Sequence, residues 1–270
     1  MVRHYKEHFC RPSELERRSL VETAGQIYIN EESLAYFRDS YGVDPSTAHI
    51  LETDYLPARY VGDDLSPKIH DTESEPRPHL LVAGGVSMTN GRTDIRELCA
   101  TMIRRRVHVH IYGAKFVGPD AEGVWGVNHA EARRSYETLT GSGFVHLHGH
   151  VEPPRFVAEW SVYDAGLLHV DASGGHEEPF QRMNHPNRVS PYVAAGLPLA
   201  QQAGRQAGMR RALDAAGIGL VYRDFDELAD LLEDRALLAG MSERVRAIRH
   251  TYTYEFHVDA LLDILAKYAR

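Results

Sequence analysis

The chain has 270 residues, 43% hydrophobic and 25% charged, which fits one large or two small globular domains and excludes disordered, collagen-like and low-complexity classes. The net charge of −8 argues against a nucleic-acid footprint, and the acidity is uneven: residues 1–74 hold 8 Lys and Arg against 14 Asp and Glu, while the rest is close to neutral. Cys10 and Cys99 make neither a disulfide framework nor a zinc site, the start is too charged for a signal peptide, and no apolar run approaches the roughly 20 residues of a membrane span. The expectation is a soluble protein of the cytoplasm, compatible with a peripheral place at the inner membrane face.

Helical spacing runs from Arg11, opened by Pro12-Ser13 and carried by Leu15, Leu20 and Val21. A short strand over Gln26–Ile29 follows. Asn30 is a good cap for a second helix carrying Leu34, Tyr36 and Phe37 and closed at Gly42, and Ala48–Leu51 reads as another strand. Strand, helix, strand in this order predicts a parallel crossover unit. From Tyr55 to His79 periodicity is lost among prolines, glycine and acids, which predicts a linker and a boundary near residue 75.

Beyond it, short apolar runs appear at 79–83, 107–112, 144–147, 164–170, 197–201 and 218–222, rich in Val, Ile and Leu. Helical stretches such as Asp94–Arg105 and Phe225–Leu232 lie between most of them. Buried strands alternating with helices predict an α/β fold with a doubly wound, six-stranded parallel sheet. The tail from Arg244 to Tyr268 is helical with a break near Thr251–Tyr254. Phe256, Leu261, Leu262 and Leu265 give it an apolar stripe.

In such sheets ligands bind beyond the carboxyl ends of the strands. Gly84-Gly85 after the first strand would let a backbone approach a phosphate, although a third glycine at dinucleotide spacing is absent. The stretch His185-Pro186-Asn187-Arg188-Val189-Ser190-Pro191-Tyr192 holds a short helix. Pro191 is tolerated only in a first turn, so that helix begins no earlier than Asn187–Arg188, with Asn187 and Ser190 as candidate caps. Arg188 there would face the ligand crevice, where a guanidinium suits a diphosphate; composition alone would make it a solvated surface residue. His108 and His110 alternate on one strand, and His146, His148 and His150 on another, so each set shares a face. A metal site needs a further ligand that the pattern does not supply. His150, just past its strand, is the member placed to touch a ligand.

The string Pro-Asn-Arg-x-x-x-Tyr-x-Ala-Ala-Gly-Leu-Pro from Pro186 to Pro198 resembles the Pro-Asn-Lys-x-x-Glu-Tyr-x-Ala-x-Gly-x-Pro segment of the GT-B glycosyltransferases, chiefly the retaining, nucleotide-sugar-dependent enzymes that build bacterial surface polysaccharides. Gly84-Gly85, Val109–Gly113, Phe144–Val151, Tyr163–Leu168, and Gly217–Val221 with Asp226–Leu228 fall in register with the same family. The likeness runs from about Arg11 to Ala269. Two glutamates usual in that family are replaced by Met183 and Pro191; Glu177 and Glu178 lie nearby in a longer loop, and Arg92 is the counterpart of a basic residue in the first glycine loop.

The resemblance implies a Rossmann-like donor-binding domain over 75–250, a remnant of an acceptor-side α/β domain with linker over 1–74, and a C-terminal helix, 251–270, crossing back to the N-terminal part. Arg188 and Glu178 would be catalytic. The donor would touch Gly84, Gly85, Arg92, Gly149, His150, Val151, Glu177, Asn187, Val189 and Ser190. The implied activity transfers a sugar, in hexosyltransferase manner, from a nucleotide diphosphate to a hydroxyl of a sugar or lipid-linked acceptor in polysaccharide or glycoconjugate synthesis. It needs no cofactor and no obligatory metal. Most of the acceptor domain has no counterpart here, so the same resemblance admits a non-catalytic donor-binding half of a split or truncated transferase, completed by a separate acceptor-domain chain, or a sugar-nucleotide epimerase.

Overall fold

The computed structural model describes residues 14–51, 55–62, 65–72, 74, 76–84, 94–112, 134, 137–149, 151–153, 155–168 and 183–269. It contains two parallel sheets. The smaller pairs β1 (Gln26–Tyr28) with β2 (Ala48–Ile50), in register Gln26 to Ala48. Between them runs α2 (Glu31–Tyr41), and α1 (Glu14–Glu22) precedes β1 and packs on α2. The Asn30 cap forms as expected: its side-chain oxygen accepts from Ser33 N at 2.8 Å, and Ser33 Oγ accepts from Asn30 N at 3.3 Å. Asn30 Nδ2 also donates to the Met183 carbonyl at 2.8 Å, which ties this unit to the stretch before Arg188.

The larger sheet has six parallel strands: β3 (His79–Ala83), β4 (His108–Tyr112), β5 (Val145–His148), β6 (Ala165–Leu167), β7 (Leu199–Gln202) and β8 (Gly219–Tyr222). Their spatial order is β5-β4-β3-β6-β7-β8. The chain therefore winds outward from β3 in one direction, then returns to β6 on its other side and winds outward again. The gap between the carboxyl ends of β3 and β6 is the topological switch point of a doubly wound sheet.

Alternation along the strands builds a core on each face. Leu80, Val82, Val109 and Ile111 point to one, against Leu98, Cys99 and Met102 of α3 (Arg96–Arg105) and Leu228 and Leu232 of α7 (Phe225–Glu233). Leu81 and Ala83 point to the other, with Tyr192 and Val193 of α5 (Val189–Ala194), Met209 and Leu213 of α6 (Ala207–Ala216), and Val245 of α8 (Arg235–Ile248). All five residues of β3 are buried, as expected of a central parallel strand covered on both sides. Cys99 is a buried free thiol that burial pushes up to about 12. No helix of the described residues is long and apolar enough to cross a membrane.

Two expectations change. The 55–79 stretch, read as a linker, is packed along much of its length: Leu56, Tyr60, Val61 and Leu65 lie against Phe156 and Val157 of α4 (Arg155–Trp160) and Ala194. Lys68 is held there by the carbonyls of Ser161 and Tyr163, and burial lowers its amine to about 8. Its apolar residues are spaced for short 3₁₀ turns, so neither helical nor strand periodicity reveals them. The second change concerns α9 (Tyr254–Ala266). Thr253 caps it after a 3₁₀ turn over Arg249–Tyr252, close to the expected break, but Phe256, Leu262 and Leu265 are 53–55% exposed and no residue of the helix is buried.

Gly166, in the middle of β6, is set by close packing. A methyl group there would lie 2.4 to 2.8 Å from three ring carbons of the fully buried Tyr192. Gly166→Ala is expected to cost about 1–3 kcal/mol, since the ring has no room to retreat. Urea denaturation should show a lower midpoint with an unchanged slope.

Candidate functional site

At the switch point two of the residues read from the sequence, Gly84 and Arg188, come together. β3 ends at Ala83, and Gly84 turns the chain with φ +105°, a conformation that side chains rarely adopt. Its N–H donates to the Tyr112 carbonyl at 2.8 Å. A Cβ on Gly84 would come within 3.0 Å of Arg188 Nη2. The guanidinium therefore lies over bare backbone at the carboxyl end of the central strand, rather than in solvent as composition alone would have it.

Tyr192 holds this arrangement. Its hydroxyl accepts from Ala83 N at 2.7 Å and donates to the Leu167 carbonyl at 3.2 Å, joining the ends of β3 and β6. It also interacts with the Arg188 guanidinium, which offsets part of the rise that burial imposes on the phenol. Tyr192→Phe should leave a buried N–H and carbonyl at the switch point without this partner. The expected loss is about 1–3 kcal/mol, read as a lower urea midpoint.

Arg188 stands at the position before α5, and its carbonyl receives the Tyr192 N–H. The helix starts no earlier than expected, but neither proposed cap operates: no side chain caps it, and Asn187 is exposed. Val189 is fully buried, and its N–H donates to the Pro186 carbonyl, so it packs the core instead of presenting a donor to the crevice. Ser190 is buried, and its Oγ has no partner among the described residues. The same holds for Nε2 of His185, whose imidazole burial lowers to about 4. Gly149 follows β5, where a Cβ would meet nothing within 4 Å, and Val151 is half-buried against Trp160 and Phe156. Gly85, Arg92, His150, Glu177 and Glu178 lie outside the described residues.

Beside the switch point the expected alternation of histidines becomes a stack. His79 joins His108 and His110 of β4 and His146 and His148 of β5 on one sheet face. Neighbouring rings lie 4.5 to 5.2 Å apart. Ring nitrogens pair at 2.9 Å between His79 and His110, 2.9 Å between His108 and His146, and 3.0 Å between His110 and His148. Tyr112 stacks on His148 and shares a hydrogen bond with Tyr163 at 2.7 Å. Among the described residues no group of three or more His, Cys, Asp or Glu is arranged to hold a metal ion. Strand alternation marked the histidines; what it could not supply was the register that brings His79 beside them. Tyr192 and His185 were legible only as letters of a motif, because their roles depend on contacts across the sheet.

No family model and no curated protein matches the chain. Solved structures do. Sucrose-phosphate synthase from Thermosynechococcus elongatus superposes with a TM-score of 0.65 at 15% identity, over 96% of this chain and 64% of that one. HepE from Anabaena, solved in complex with UDP, gives 0.65 at 12% identity over 96% and 70%. WaaG, a glycosyltransferase involved in lipopolysaccharide biosynthesis, gives 0.57 at 17% identity over 90% and 65%. The chain thus spans 64–70% of the length of these three solved chains, and identities this low speak for architecture alone. That architecture, a doubly wound six-stranded sheet with a small second parallel unit, is the fold of the GT-B glycosyltransferases.

Proposed function

We propose that this chain binds a nucleotide-diphosphate sugar at the β3–β6 switch point and acts as the donor-binding part of a glycosyltransferase. The observation that carries the reading is the Arg188 guanidinium poised over Gly84, 3.0 Å from where a Cβ would sit, at the carboxyl end of the central strand. A diphosphate entering there would meet a planar cation beside a strand end whose glycine carries no side chain. As the bond between sugar and phosphate breaks, negative charge grows on the leaving diphosphate, and a fixed cation already in place stabilises it without reorganising. Arg188 supplies that charge without calling for a metal.

Solved structures of the same fold include HepE in complex with UDP-glucose, which supports a uridine diphosphate sugar as the first donor to try. Within this reading residues 75–250 form the donor domain, 1–74 an acceptor-side remnant with its linker, and 251–270 a helix returning to that remnant. Gly85, Arg92, His150 and Glu177 remain its further candidate donor contacts, and Glu178 its further candidate catalytic residue. The acceptor hydroxyl, on a sugar or lipid-linked molecule of a polysaccharide or glycoconjugate pathway in the cytoplasm, would approach from the side facing the small β1–β2 unit. Calorimetric titration with UDP, GDP and uridine tests the reading: binding of a diphosphate far tighter than the nucleoside is expected. A folded chain that binds no nucleotide diphosphate overturns it.

A further inference from the structure

Tyr192 carries more than packing asks of a buried phenol. It lies four residues after Arg188, and its N–H donates to the Arg188 carbonyl at 3.1 Å, so the two side chains leave the same side of α5. A phenolic hydroxyl has one proton and two lone pairs. Here the proton goes to the Leu167 carbonyl at 3.2 Å. One lone pair accepts from Ala83 N at 2.7 Å, and the other accepts from the Arg188 guanidinium. Each of the three positions is taken by a different element: the end of β3, the end of β6 and the residue before α5.

The phenol is fixed from every side. Tyr192 is fully buried, its ring lies against the bare Cα of Gly166, and Trp160 meets it edge-on at 5.9 Å. Arg188 has far less local support. α5 is six residues long, no side chain caps it, and Arg188 is only half-buried. A long arginine side chain in such a place keeps much of its rotamer freedom, and ordering it only when a ligand arrives lowers affinity. A hydroxyl already fixed to two strand ends moves that ordering from binding to folding.

We propose that Tyr192 is a positioning residue: its hydroxyl, anchored on the ends of β3 and β6, holds the Arg188 guanidinium over Gly84 in the orientation that meets a diphosphate. The proposal rests on the donor-binding reading for the ligand, and on Tyr192, Ala83, Leu167 and Arg188 for the tether itself. Tyr192 acts through Arg188, because its own three hydrogen-bonding positions are filled and none is left for the ligand. It therefore matters to a phosphate-bearing ligand and not to a nucleoside, and only while Arg188 is present.

Tyr192→Phe keeps the ring and removes only the hydroxyl. Without any ligand, magnetic relaxation of the Arg188 Nε–H, assigned by its absence in Arg188→Ala, should be that of a rigid group in wild type and that of a mobile side chain in Tyr192→Phe. Calorimetry should show Tyr192→Phe binding UDP about three- to tenfold more weakly than wild type, with uridine unaffected. In the Arg188→Ala background the same change should alter UDP affinity less than about twofold. Val109→Ala, which loosens the core on the opposite sheet face, should bind UDP as wild type does and so separates lost stability from lost orientation. A rigid Arg188 Nε–H in Tyr192→Phe overturns the proposal, as does an undiminished effect of that change on UDP once Arg188 is alanine. A mobile Arg188 Nε–H in wild type overturns it as well, a result that does not depend on Tyr192→Phe folding. A folded wild-type chain that binds no UDP removes the donor reading, and the relaxation measurement still decides the tether.

Discussion

Arg188→Ala is expected to weaken UDP binding by about ten- to a hundredfold, the equivalent of roughly 1.5–3 kcal/mol for hydrogen bonds to a charged group. The guanidinium lies over Gly84 at the end of β3, where a diphosphate would be approached by backbone and cation together. Arg188→Lys should recover part of the loss, because a point charge replaces a planar fork that can grip two phosphate oxygens. Uridine, with no phosphate, should bind wild type and both variants almost equally. The fold should survive, since the Tyr192 hydroxyl keeps its bonds to Ala83 and Leu167 when the guanidinium is removed. Calorimetry with UDP and uridine on the three proteins gives the comparison, and melting temperatures confirm that all three are folded. Equal UDP affinities in wild type and Arg188→Ala would remove Arg188 from the site.

What could be read from the sequence was what local chemistry decides. Asn30 and Gly42 bracket a helix because a capping side chain and a left-handed terminus are properties of a few neighbouring residues. The six strands were legible because short apolar runs bounded by Gly, Pro or charge and alternating with helical stretches are the pattern of strands buried on both faces. Pro191 located the start of α5 through one steric rule. The misses are of another kind. Val189 looked like a residue at a helix mouth, yet it sits in the core, because the orientation of a single-turn helix is set by what packs beneath it. The 55–79 segment looked loose because its anchors come from far along the chain: the Ser161 and Tyr163 carbonyls that hold Lys68 lie 93 and 95 residues away, and Arg249, which donates to the Gly62 carbonyl, lies 187 away. Tyr192 serves two strand ends at once, and strand order is information that no local window contains.

The histidine stack predicts steep acid sensitivity. His79 Nδ1, both nitrogens of His110 and His148 Nε2 form two consecutive hydrogen bonds with room for one proton each. All three neutral rings must therefore carry their proton on the same kind of nitrogen. A further proton on His110 creates a buried cation beside four other imidazoles, and burial first, then those neighbours, push its pKa well below the usual histidine range. Burial also lowers His148, and lowers His185 to about 4. In the unfolded chain each would titrate near 6.5. Folded values below unfolded ones mean that this stability is fully present above about pH 6.5 and is lost as pH falls, since the unfolded state then binds more protons. The buried rings of His110 and His185 should together remove about 2–3 kcal/mol per pH unit on the acid side of that value, until His185 itself titrates near 4. Against a total stability of about 5–15 kcal/mol, a loss of about 4 kcal/mol by pH 5 is a large share, and a markedly lower urea midpoint there is the expected result. The salt-bridged carboxylates Asp226 and Glu227 have pKa values held below the ordinary carboxylate range, so their contribution is lost at lower pH and leaves the upper part of the window to histidine. Urea midpoints taken from pH 7.5 down to 5 should fall steeply for wild type. His110→Phe, which fills the same slot without a titrating group, should flatten the slope by about one proton. An urea midpoint that holds constant between pH 7 and 5.5 would show that the stack accepts protons freely when folded, and with that the buried, neutral array would be refuted.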